Sequence, residues 1–242
     1  MSLSRENPQD SRLVTRIRDV LVRKIVRFLG EKMSKDRKEY NEFYNEFQFF
    51  IKEGICQEPV VKDQLGKLLM FESNNQPAGE VLSLDEYVGN STPEQKDIYY
   101  LVAPNRQAAL QSPYLETFKK NNIEVLFLYH TIDDFVMGNL QNYNKRSLIS
   151  IESGNINLPG EQDKTDETDK ELDETEEESD ESKLSKSDQD TLCAWFKDTL
   201  GSDRVKDVKI TNRLHDSPCI VTDHESASLR RMMRMVVSTA IM

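Results

Sequence analysis

Apolar residues recur at helical spacing through the first part of the chain and give way, near its middle, to short unbroken apolar runs. Over 11–29, Leu13, Ile17, Leu21, Ile25 and Phe28 fall every three or four residues, which predicts an amphipathic helix with these side chains inward. Ser11 or Asp10 supplies its cap and Gly30 its stop. A second helix is expected over about 35–52, where Tyr40, Phe43, Tyr44, Phe47, Phe50 and Ile51 make an aromatic stripe that reads as core, with Gly54 interrupting it. A third is expected over about 60–71, with Val61, Leu65, Leu68 and Leu69 inward. Three such helices pack as a small bundle. The stretch 72–82 reads as a turn-rich loop, after which Ser83 caps a short helix reaching Val88.

The period then changes. Residues 98–102 and 125–129 are apolar runs rich in aromatic and β-branched side chains, as buried strands are. The turn at Pro104-Asn105 and the helically spaced residues after it supply a crossover, so the unit reads βαβ and its strands should be parallel. Asp133 and Asp134 follow the second run. Read as paired carboxylates they suggest acid–base work, but consecutive carboxylates after a strand fit a helix cap, here for a helix near 133–141. A third apolar run, 147–151, completes a three-stranded parallel sheet between helices over 96–152.

Beyond about 155 the chain turns acidic. Residues 161–181 hold 13 acidic residues against two lysines, which accounts for the whole net charge of −11. Such a block repels itself and lacks apolar anchors, so a linker is expected over 155–187. Asp188 then caps an amphipathic helix containing Leu192, Trp195, Phe196 and Leu200, with Trp195 as core and Gly201 as stop. Val205, Val208 and Ile210 alternate like a strand, 218–221 resembles another, and 225–239 is a methionine-rich amphipathic helix. The fold class is thus α/β in its middle and α+β overall. A three-helix bundle comes first, then a small αβα layer with a three-stranded parallel sheet, then a partial α+β C-terminal domain. The expected boundaries are 1–10, 11–95, 96–154, 155–187 and 188–242.

Composition narrows the function mainly by exclusion. No apolar run approaches the roughly 20 residues that span a bilayer. The first residues match neither a secretory signal nor a transit peptide, so no targeting segment is expected in this chain. Cys56, Cys193 and Cys219 are far apart, and His215, Cys219 and His224 lack closed zinc spacing, so no metal is expected. The basic face of the first helix (Arg12, Arg16, Arg18, Arg23, Lys24, Arg27) lacks interleaved aromatics, and a solvated face fits it better than a nucleic-acid site. No phosphate-cradling glycine loop is present.

The wording of several segments is more specific. IYYL…APNR…SPY…E…KK…EVLFL…IDDF over 98–135, FQFFIKEGI at 47–55, LMFES…PAGEVLSLDEY at 69–87 and LSRE at 3–6 resemble the ninety-kilodalton heat-shock chaperone family, and APNR is most like its mitochondrial paralogue. The resemblance covers about 3–152 strongly and 188–235 more weakly. It implies the lower middle domain and the start of the C-terminal domain of an ATP-dependent chaperone. The ATP-binding domain, the first half of the middle domain and the dimer-forming helices would lie outside this chain.

In that family a loop before the first helix reaches the γ-phosphate of ATP, bound with magnesium in the N-terminal domain. Arg5 and Gln9 occupy its places, although Asn7-Pro8 departs from the family's usual apolar pair. Arginine suits this role because it brings fixed positive charge to a transferring phosphoryl group. The resemblance also implies client contact by the methionine-rich helix, through Leu229, Met232, Met233 and Val236. Unfolded client proteins and the other domains of the same chaperone are the implied partners, with a homodimer in the intact protein and a mitochondrial, otherwise cytoplasmic, location. A nucleotide-independent protein-binding module and an inactive fragment are the alternative readings.

Overall fold

The structure, a computed structural model, describes residues 12–154, 156, 185–201, 203–211, 213–214, 216–222, 230 and 233. Two long helices open it. Helix α1 spans Arg12–Lys35 and α2 spans Arg37–Gln57, joined at Asp36, whose carboxylate accepts the Glu39 N–H at 2.9 Å and caps α2. Both run further than the glycines suggested. Gly30 keeps a helical backbone and does not stop α1. Gly54 does not break α2 but lets another element approach closely, because a Cβ there would lie 3.0 Å from Leu65 Cδ1.

The third helix is much shorter than expected. Helix α3 covers only Lys62–Gly66, and the chain then enters strand β1, Met70–Ser73. The loop expected over 72–82 is a hairpin connection to β2, Leu82–Ser83. The apolar run 68–71 fits either structure, and pairing with the sheet decides it. Ser83 caps α4, Leu84–Asn90, in a full capping box with Glu86.

The expected parallel unit is present and extended. Strands β3 (Asp97–Val102), β4 (Leu126–Leu128) and β6 (Arg146–Ser150) are parallel, with β3 between the other two. Antiparallel β1, β2 and β5 (Asn142–Tyr143) complete a six-stranded sheet in the order β2-β1-β4-β3-β6-β5. The crossover from β3 to β4 is not one helix. Pro113 interrupts it, leaving α5 (Arg106–Leu110), a 3₁₀ turn (Pro113–Leu115) and α6 (Glu116–Lys120). Helix α7, Thr131–Leu140, follows β4.

Alternation along β3 divides the core between the two sheet faces. Ile98, Tyr100 and Val102 face the helical hairpin with Leu126, Leu128 and Val136, whereas Tyr99 and Leu101 pack with Phe118, Leu115 and Phe127 under the crossover. The APNR segment has a structural use. Asn105 caps α5 by accepting the Ala108 N–H at 2.9 Å. Arg106 stacks its guanidinium over Phe127, pairs with Glu72 at 3.1 Å and donates to the Ser73 and Gln76 carbonyls. It thereby ties the connection after β1 to the crossover.

Of the two acidic residues after β4, Asp133 does more than cap. The Asp133 carboxylate accepts the His130 N–H at 3.1 Å, the expected cap at the start of α7. Its other oxygen lies 2.6 Å from Nζ of Lys52, and both residues are only 1% exposed. Lys52 also donates to Gln48 at 2.7 Å and sits between the rings of Phe49 and Phe71. Burial pushes the Lys52 pKa down, and the Asp133 charge opposes that shift.

Helix α8, Lys186–Leu200, starts one turn earlier than expected: Ser185, not Asp188, is its cap. Trp195 is 57% exposed rather than core, because its described neighbour is Phe196 on the same helix. The strands expected at 204–214 and 218–221 are absent among the described residues. Their place is taken by side-chain-to-backbone bonds with the crossover and with the turn after β6. Arg213 donates to the Ile151 and Ser153 carbonyls at 3.0 and 2.9 Å, Glu116 accepts the Asp216 N–H at 3.1 Å, and the Tyr114 and Thr117 hydroxyls bond the Val221 and Arg213 carbonyls.

Removing one member of the Lys52–Asp133 pair should leave an uncompensated buried charge. Lys52→Met alone should destabilise the chain by about 3–5 kcal/mol. Adding Asp133→Leu should restore most of the loss. Urea unfolding of the wild type, both single variants and the double variant measures this. Additive losses in the double variant would show that the two charges do not act as a pair.

Candidate protein-contact surface

Helix α1 presents two apolar faces. Val22, Val26, Leu29 and Met33, spaced three and four apart, pack into the core. The residues the pattern marked as inward are turned roughly a third of a turn away. Leu13, Ile17, Leu21, Ile25 and Phe28 are 47–56% exposed. The sequence holds both stripes, and periodicity alone ranks the longer one first. Packing selects the other because the branched residues 22 and 26 suit the close contact with α2.

The aromatic stripe of α2 splits in the same way. Tyr40, Tyr44 and Ile51 are buried, and the Tyr40 hydroxyl donates to the Leu68 carbonyl at 2.7 Å. Phe43 is half-buried and stacks on Phe47 at 5.0 Å between ring centroids. Phe47 in turn lies 6.3 Å from Phe50, which is 70% exposed. The hairpin therefore shows solvent a ridge of aliphatic side chains on α1 and a short aromatic ladder on α2. Helical spacing puts Arg16, Arg23 and Arg27 along one border of the α1 ridge, all exposed. Arg18 is held by Glu58 at the end of α2, at 2.9 Å. The basic face is solvated, as expected, and borders an apolar strip.

The residues singled out from the sequence are only partly placed. Arg5, Gln9, Leu229, Met232 and Val236 lie outside the described residues. Met233 is helical and 44% exposed. Among the described residues, no group of three His, Cys, Asp or Glu side chains is arranged to hold a metal ion, and no helix is long and apolar enough to cross a membrane. The sequence reading missed the exposure of the α1 ridge. Its available signal was the second apolar stripe at 22, 26, 29 and 33, which means the helix has more apolar surface than one contact can cover.

A helical hairpin with an exposed apolar ridge is packed on a mixed α/β layer. Comparison with known proteins places it. The family model described as Hsp90 protein matches residues 1–242, and the chain belongs to that family. It is 39% identical over 241 residues to the mitochondrial TNF receptor-associated protein 1 homolog of Dictyostelium discoideum, covering 98% of this chain and 32% of that protein. It is 35% identical over 237 residues to the mitochondrial heat shock protein 75 kDa of Rattus norvegicus, covering 97% and 32%. Against the chaperone protein HtpG of Desulfitobacterium hafniense it is 33% identical over 237 residues, covering 98% and 36%. The chain thus spans about a third of the length of the relatives it matches.

Replacing Leu21, Ile25 and Phe50 by serine should reduce binding of an apolar-surface dye severalfold. The urea midpoint should shift little, because exposed positions usually cost within about 0.5 kcal/mol each. Dye fluorescence and urea unfolding on the same samples check both halves. Unchanged dye binding would mean the ridge is not the main accessible apolar surface.

Proposed function

We propose that this chain is the part of an ATP-dependent chaperone that couples a nucleotide-responding domain to surfaces holding unfolded client proteins. The observation carrying this reading is the double apolar character of α1. One face packs against the core, so the exposed ridge of Leu13, Ile17, Leu21, Ile25 and Phe28 is left for a second protein surface. Another domain of the same chaperone is its best-fitting partner, because the ridge lies just after the segment that carries Arg5 and Gln9.

In this reading Arg5 and Gln9 reach the terminal phosphate of a magnesium–ATP complex held by that other domain. The cleft described below does not fit a nucleotide: Glu94 and Glu124 line it, and its lining holds no lysine or arginine. Clients meet the methionine-rich helix around Leu229, Met232, Met233 and Val236, where flexible thioethers adapt to varied apolar surfaces. The intact protein is a homodimer by family resemblance. The mitochondrial names of two relatives support a mitochondrial location for it.

A chimera that supplies the remaining domains from a mitochondrial relative tests this. Arg5→Ala should lower its ATPase rate by about 10³-fold or more, the scale of an arginine acting on a transferring phosphoryl group. Ile17→Ser with Leu21→Ser should lower ATPase rate and suppression of client aggregation together. An unchanged ATPase rate in Arg5→Ala would remove the arginine's role. Full activity of the ridge variant would remove the coupling role of α1.

A further inference from the structure

At the end of the sheet where β3 and β4 begin, three connections enclose a cleft of about 360 Å³. Asn75 and Gln76 come from the turn after β1, residues 90–95 from the approach to β3, and 121–124 from the approach to β4. Ligands of open α/β sheets usually sit at the opposite end, beyond the C-terminal ends of the strands. The fold type therefore does not assign this cleft, and neither does the contact surface on α1.

Its walls are held by buried and partly buried hydrogen bonds. The Tyr87 hydroxyl donates to the Glu124 carbonyl at 2.7 Å, and Gln95 donates to that hydroxyl at 2.9 Å and to the Asp97 carbonyl at 2.7 Å. Asn74 donates to the Ile123 carbonyl at 3.1 Å and accepts the Val125 N–H at 2.7 Å. Arg106 fixes the Gln76 carbonyl from behind. The cleft is therefore pre-formed on three sides rather than bounded by loose loops.

Its chemistry is one-sided. Six carboxamides line it: Asn75, Gln76, Asn90, Gln95, Asn121 and Asn122. Two carboxylates join them, Glu94 at the exposed edge and Glu124, which is only 6% exposed. Glu124 accepts the Ser73 hydroxyl at 2.6 Å and has the Asn90 amide at 3.4 Å, both neutral partners. No lysine or arginine lines the cleft; Lys96 and Lys120, the nearest in sequence, are outside its lining. A carboxylate this buried, satisfied only by neutral groups, favours a cation that reaches it. The same charge disfavours phosphates and nucleotides.

We propose that the cleft receives an arginine side chain, together with its flanking peptide, from a partner polypeptide. Glu124 pairs with the guanidinium, and the surrounding carboxamides hydrogen-bond to the adjoining peptide groups. Arginine fits better than lysine because the space exceeds an ammonium head and a planar fork of donors matches a carboxylate.

The test titrates the full chain with the capped tripeptide acetyl-Gly-Arg-Gly-amide while amide resonances are followed by NMR. Saturable shifts confined to the 74–76, 90–95 and 121–124 segments are expected. The citrulline tripeptide, of equal shape but uncharged, should leave them unmoved, and the lysine tripeptide should bind more weakly. Glu124→Gln keeps both neutral partners and should weaken arginine binding by about tenfold or more. Thr92→Arg, at the exposed lip and away from Glu124, should compete for the same space and weaken binding even if Glu124→Gln failed to fold. Absence of saturable shifts at millimolar peptide would overturn the proposal. So would equal binding of the citrulline or lysine tripeptides, or wild-type affinity in a folded Glu124→Gln chain.

Discussion

The Lys52–Asp133 pair is the contact on which the arrangement of the two halves depends. Lys52 lies in the middle of α2, at a position otherwise given to aromatic and aliphatic residues. Asp133 lies in the first turn of α7, directly after a central strand of the sheet. Two charges at 1% exposure have few tolerable geometries. If α2 rotated or slid along the sheet, each would face an apolar wall alone, at a cost of several kcal/mol. Apolar contacts between α2 and α7 supply adhesion, but many registers satisfy apolar contact about equally. The ion pair favours one, a specifying role documented for some buried polar groups elsewhere.

That one register has consequences at a distance. With α2 fixed by Lys52, its buried side is set by Tyr40, Tyr44 and Ile51, and Phe47 and Phe50 must face outward. Because α1 packs on α2 through Val22, Val26 and Leu29, its second apolar stripe is turned outward as well. The exposed ridge is therefore a result of core geometry and not of loose packing. Its exposure is energetically unfavourable in isolation, which is why a protein surface, and not solvent, is the environment it suits.

Much of the fold was legible in the pattern, and the failures share a cause. The βαβ unit, its three parallel strands, the Ser83 cap and the cap before α7 follow from local rules, and the structure agrees with them. The misreadings concern features that local rules leave open. Glycine marks a stop when it takes a left-handed backbone, but Gly30 and Gly54 remain helical, and Gly54 instead makes room for Leu65. Residues 68–71 suit strand or helix equally until β4 offers a partner. The choice between two apolar stripes on α1 depends on α2. The Lys52–Asp133 pair is separated by more than half of the described N-terminal region, yet each member left a trace: a lysine within an aromatic run, and paired carboxylates after a buried strand. As for the candidate sites, only Met233 of the residues taken from family resemblance lies among those described, so the surfaces that structure adds are the ones periodicity hid.

The two surfaces so found differ in kind, and the difference constrains how this chain can use them. The α1 ridge is apolar with a basic border, so its binding should be broad, driven by area and weakly selective. The cleft beside Glu124 is small, polar and acidic, so its binding should depend on one charge in one place. They also belong to opposite halves of the molecule, joined through α2, Lys52, Asp133 and the sheet. A partner bound at the cleft touches the connections leading into β3 and β4, and β4 leads directly into α7 and Asp133. The pair and the apolar core shared by β3, β4 and the helical hairpin are the physical links between the two surfaces. If neither has two arrangements, the surfaces are independent, and changes at Lys52 will alter stability without altering the order in which partners bind.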